Sequence, residues 1–124
     1  MEYPDDGRRS RNRGCAGVYR PLRRYLARTN RNVYLDTSWQ VLQSPAILAE
    51  CLTEWIGMVP PERITLSVDA TNLEEYYGGQ VMTRRILGRV LRRKVDNGEF
   101  SSSTATWIAR CLLSGNVESL YFNG

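Results

Sequence analysis

The stretch Arg63-Ile64-Thr65-Leu66-Ser67-Val68-Asp69-Ala70 constrains this chain more than any other. A Pro-Pro-Glu turn precedes it, and an acid ends it, followed by the polar pair Thr71-Asn72. A short apolar and β-branched run bounded by turn signals predicts a buried strand. Upstream, Val33-Tyr34-Leu35-Asp36-Thr37 has the same character. Between the two runs lies a helical pattern opened by Ser44-Pro45, with Ser as N-cap and Pro in the first turn. Its apolar stripe is Leu48, Cys51, Leu52 and Trp55, and Gly57 followed by Pro60-Pro61 ends it. Strand, helix and strand make a βαβ unit, which sets the strands parallel through a right-handed crossover. Asp36, Trp39 and Asp69 then share the rim at the carboxyl ends of the strands, where parallel α/β folds place their chemistry.

The flanking elements read as helices. Pro21 to Thr29 predicts one, with Leu22, Tyr25 and Leu26 on one face. The Gly78-Gly79 pair predicts a loop over residues 72–79, and a long helix then runs from about Gln80 to Asp96. Met82, Ile86, Leu87, Val90, Leu91 and Val95 form its inner side; Arg84, Arg85, Arg89, Arg92 and Arg93 form its outer side. Asn97-Gly98 stops it. A last main helix begins at Ser101 or Ser102, with the stripe Ala105, Ile108, Ala109 and Leu112, and ends at Ser114-Gly115. Asn116 is expected to cap a final short turn that turns Leu120 and Tyr121 inward.

Composition excludes several chemistries. There is no histidine among the 124 residues. Histidine is the commonest metal ligand and the usual general base near neutral pH. Its absence removes Ser-His-Asp and Cys-His catalysis and every histidine-ligated zinc site. Cys15, Cys51 and Cys111 are widely spaced and odd in number, which argues for a reducing compartment rather than a disulfide framework. No apolar run approaches the ~20 residues a membrane span needs, and the first residues lack an apolar signal core. The expectation is a cytoplasmic protein.

Charge is uneven. Residues 1–31 hold nine arginines against three acids, and residues 32–124 hold eight Lys or Arg against ten acids. Residues 1–19 read as a disordered basic segment, with a further strand conceivable near Cys15–Tyr19. Arg8, Arg9, Arg11 and Arg13 read as a solvated tail, and the arginine row of the long helix as a solvated face. Nucleic acid is therefore not the expected partner.

From about residue 20 onward the chain resembles the C-terminal part of the amidohydrolase superfamily, in its amidohydrolase-2 type of metal-dependent hydrolase. The residues that carry the resemblance are Asn32 to Trp39, Ser44-Pro45, Trp55 through Ile64, Ser67-Val68-Asp69-Ala70 and Glu75-Tyr76-Tyr77-Gly78. Val95 to Gly98, Ile108-Ala109-Arg110 and Gly115 to Tyr121 complete it. The resemblance implies an α/β fold, helix-rich, in which residues 20–124 supply only the last strands and helices of a (β/α)8 TIM barrel. It implies hydrolysis at a carbonyl or at a C–N or C–C bond of a small molecule. Asp69 matches the acid that binds the metal or takes a proton from the hydrolytic water, and Trp39 is expected to line the substrate pocket. The family's cofactor is a divalent metal, zinc foremost. This chain lacks the family's histidines, so the expectation is that it binds no such metal alone and is inactive alone. The alternative is a non-catalytic remnant or interaction module that pairs with a partner chain or a second copy through exposed sheet edges.

Overall fold

A computed structural model of the chain describes residues 19–123. The basic segment read from the sequence, and the further strand near Cys15, lie outside the described residues except at Tyr19, which opens the first helix.

Among the described residues six α-helices accompany a small parallel sheet. In chain order the elements are α1 (Tyr19–Thr29), β1 (Leu35–Asp36), α2 (Gln40–Gln43), α3 (Pro45–Met58), a 3-10 turn (Pro61–Arg63) and β2 (Ile64–Thr65). Then follow α4 (Leu73–Asp96), α5 (Ser102–Arg110), a π-helical segment (Cys111–Gly115) and α6 (Asn116–Tyr121). Leu35 pairs with Ile64 and Asp36 with Thr65, in parallel, so the βαβ crossover through α3 is present. Ser44 caps α3 by accepting from the Ile47 amide. Leu48, Cys51, Leu52, Trp55 and Ile56 bury the inner side of α3. Ile86, Leu87, Val90 and Leu91 of α4 face the same core, and Ile108 and Leu112 close it.

The expected TIM-barrel portion is not what forms. The described residues hold two strands of two residues each, and helices dominate the rest. A barrel needs each strand to be followed by a helix that returns to another strand, through to closure. Here β2 is followed by a helix of 24 residues, about 36 Å long, that leads into further helix instead. β2 also meets the π segment and α6, and there Asn116 Nδ2 donates to the carbonyls of Pro61 and Ile64, at 2.7 Å each. That side of β2 is occupied by helix. The neighbour of β1 within the sheet is β2, and no strand lies on its other edge among the described residues.

Three local differences from the sequence reading stand out. The long helix begins at Leu73 because Asn72 caps it, accepting from the Glu75 amide, while Glu75 accepts from the amide and hydroxyl of Thr71. The Gly78-Gly79 pair is helical, and Gly79 has a packing reason. A Cβ there would fall 2.4 Å from Val68 Cγ1, so only glycine lets α4 press onto the loop after β2. Second, no break occurs at Ser114-Gly115. Helix continues from α5 through the π segment into α6, and Asn116 turns inward rather than capping. Third, Leu22, Tyr25 and Leu26 of α1 are exposed, as is Tyr121, which the sequence pattern turned inward. No helix of the described residues is long and apolar enough to cross a membrane.

Candidate functional site

The two loops that leave the strands are laced together. Thr37, fully buried, uses one hydroxyl twice: it donates to the Ser67 carbonyl and accepts from the Ser67 amide, both at 3.1 Å. One side chain thereby extends the ladder past the last paired residue. The Trp39 amide donates to the Val68 carbonyl at 3.2 Å. These bonds, with Val68 clamped under Gly79, fix the turn that follows each strand.

Both turns hold a non-glycine residue in the left-handed region, Trp39 at φ 67° and Asp69 at φ 55°. That region costs an L-residue roughly 1–2 kcal/mol and persists where surrounding bonds over-determine it. Asp accommodates it readily; Trp, being bulky, does not. Among the described residues these are the two non-glycine positions with positive φ, and both stand at the rim read from the sequence as functional.

The two carboxylates of the rim do different things. Asp36 is engaged on both oxygens. Thr65 donates to Oδ1 at 2.8 Å; Ser67 Oγ at 2.7 Å, the Ser38 amide at 3.0 Å and the Ser38 hydroxyl donate to Oδ2. Partial burial pushes this carboxyl up, but the hydroxyls of Ser38, Ser67 and Thr65 and the Ser38 amide outweigh burial and hold it below the usual carboxylate value. Asp36 is therefore a latch between β1 and β2. Asp69 is exposed and makes no hydrogen bond or ion pair among the described residues.

Two concavities meet at this rim. One, of about 800 Å³, is walled by Tyr34, Val68, Tyr76, Gln80, Leu120 and Tyr121. The other, of about 560 Å³, is walled by Arg23, Trp39, Gln40, Gln43 and Trp55. Tyr34, Asp36 and Asp69 line both. The three rim residues expected from the βαβ reading are thus together on the second concavity. Thr37 and Ser67, which hold the rim in place, were given no role by the sequence reading, and Asn116 was read as a cap rather than as a tie to β2. Short polar side chains carry no spacing signal, and their partners lie about thirty to fifty-five residues away.

The described residues do not make up a catalytic metal site. No group of three or more Cys, Asp or Glu that could hold an ion occurs among the described residues. Asp36 spends its lone pairs on hydroxyls, and Asp69 by itself makes no site. What the arrangement offers chemically is one carboxylate without a partner among the described residues, beside two aromatic-walled hollows.

The Asp36 latch sets a pH dependence. Its folded pKa lies below the unfolded value of about 3.9. Its contribution is fully present above that value and is lost as pH falls through the lower, folded pKa. The wild-type chain is expected to lose more stability between pH 6 and pH 3 than Asp36→Asn. Urea denaturation at both values measures the difference, and parallel losses in the two proteins would remove the latch.

The chain matches no protein-family model, no curated protein and no solved structure.

Proposed function

We propose that this chain supplies the acid arm of an amidohydrolase-like hydrolytic site and is inactive by itself. The reading takes its reaction class from the resemblance carried by Asn32 to Trp39 and Ser67 to Ala70. The observation that carries it is Asp69: a carboxylate held in a left-handed turn at the carboxyl end of a parallel pair, unengaged, at the meeting of two hollows. A carboxylate so placed takes the proton of a water attacking a carbonyl or a C–N or C–C bond of a small molecule. Trp39 and Tyr34 give the substrate an apolar wall. The remaining groups come from a partner segment, and the edge of β1 away from β2, which carries no strand among the described residues, is where an extended backbone can add to the sheet.

The test is the native species in its source cells, detected with an antibody against residues 102–121 and weighed intact. The proposal expects an assembly well above the 14.2 kDa of this chain. Within that assembly Asp69→Asn should lower turnover at least a hundredfold without loosening association. A lone 14.2 kDa species overturns the proposal. A second reading, pairing without chemistry, is favoured by the complete engagement of Asp36 and by the exposure of Trp39, Tyr34 and Tyr76. An assembly indifferent to Asp69→Asn would select it.

A further inference from the structure

The exposed side of α4 beyond Gln80 has a different character from the rim. Arg84, Arg85, Arg89, Arg92 and Arg93 are all exposed, and no Asp or Glu occurs between Tyr76 and Val95. None of the five arginines makes a hydrogen bond or ion pair among the described residues. The one lysine nearby, Lys94, is buried and paired with Glu99, so it belongs to the core side. Four of the arginines border a shallow groove of about 280 Å³ with Gly88 among them. A side chain at Gly88 would meet nothing within 4 Å, so the groove is open to solvent.

The sequence pattern alone favours a solvated face. No acid lies within the row itself, Asp96 standing only at its end, and four of the guanidinium groups gather around an open groove; together these change that reading. We propose that the Arg84–Arg93 face of α4 docks the phosphate backbone of double-stranded nucleic acid, independently of base sequence. Each guanidinium offers a planar fork that matches phosphate oxygens. Arg85, Arg89 and Arg92 follow one line of the helix over about 10 Å. Phosphates of one strand follow each other every ~3.4 Å along the duplex axis, so three contacts are within reach. The groove carries no aromatic side chain on which unpaired bases could stack, which favours duplex over single strand. It also carries no apolar side chain to enter a lipid surface, which an interfacial helix requires.

The experiment is fluorescence anisotropy of the full chain with a labelled DNA duplex of about 20 base pairs, titrated at several salt concentrations. Arg85, Arg89 and Arg92 replaced together by Gln should weaken binding at least tenfold at low salt. The slope of log affinity against log salt should flatten by about three, near 0.9 for each lost phosphate contact. Replacement of the same three by Lys should keep the wild-type slope. The arginines at residues 8–13 are common to all variants, so their contribution cancels in the comparison. If the triple Gln variant fails to fold, single variants that each flatten the slope by about one give the same answer. No duplex binding by the wild type, or equal slopes for wild type and Gln variant, overturns the proposal. So does a Gln variant that loses binding to phosphatidylserine vesicles while keeping its duplex affinity.

Discussion

Replacing Asn116 by alanine is expected to cost about 2–4 kcal/mol of folding stability, although the residue sits in a continuous helix where alanine is the better former. The side chain is 5% exposed and its one amide nitrogen serves two carbonyls, Pro61 O and Ile64 O. Removing it leaves two acceptors without that donor beside β2, each costing about 1 kcal/mol or more, and leaves a void as well. Asn116→Asp should be worse than alanine, because it sets a carboxylate oxygen against two carbonyl oxygens in a buried place. Urea denaturation at neutral pH reads both. A loss under about 1 kcal/mol for the alanine variant would mean that water serves those carbonyls and that Asn116 does not hold β2. The effect should reach the site, since Ile64 and Thr65 carry the loop that ends in Asp69.

The π segment before Asn116 explains why this contact was not legible in the sequence. A π segment carries an extra residue in its turn and rotates everything after it relative to a regular helix. In Gly115-Asn116 the pattern suggests a stop and a cap, and local chemistry says nothing of a carbonyl fifty-two residues back. Other parts were legible because the signal is local. The Asn97-Gly98 stop is one: Gly98 takes φ 76°, its amide donates to Val95, and the Glu99 amide donates to Lys94. The α3 stripe is another, since a 3.6-residue period needs only its own helix. The βαβ unit and the shared rim of Asp36, Trp39 and Asp69 followed from short apolar, β-branched runs and the turn residues that bound them. The continuation to a barrel did not, because two short strands carry no information about what lies on their far edges. That edge is decided by tertiary contacts such as Asn116 on β2 and Gly79 under Val68.

The two carboxylates show the same division. Both stand at the carboxyl end of a strand run and look alike in sequence, yet one is bound by three hydroxyls and the other has no partner among the described residues. The difference lies in Thr65 and Ser67, whose side chains point to the rim from the neighbouring strand and its loop. A strand residue's neighbours across the ladder are not its neighbours in sequence. The latch on Asp36 stiffens the platform, and Asp69 is what the platform presents.

Glu99→Ala is expected to cost about 2–3 kcal/mol, more than a partly exposed glutamate usually does. Its partner Lys94 is 6% exposed, with Nζ 2.7 Å from Glu99 Oε2 and next to Gly57 near the carboxyl end of α3. Carbonyls at a helix end favour a cation there, but they do not replace a carboxylate. Removing Glu99 leaves a buried ammonium without its counter-charge, the costly way to break such a pair. Removing the lysine should cost less: Lys94→Met keeps the stem that packs between α3 and α4 and leaves only a glutamate that can turn to water. The double variant should then resemble Lys94→Met alone, so the two single losses will not add. A double-mutant cycle by urea denaturation at neutral pH measures the coupling. Additive losses would mean that Lys94 already reaches solvent and that the end of α4 is held by its Gly98 turn instead.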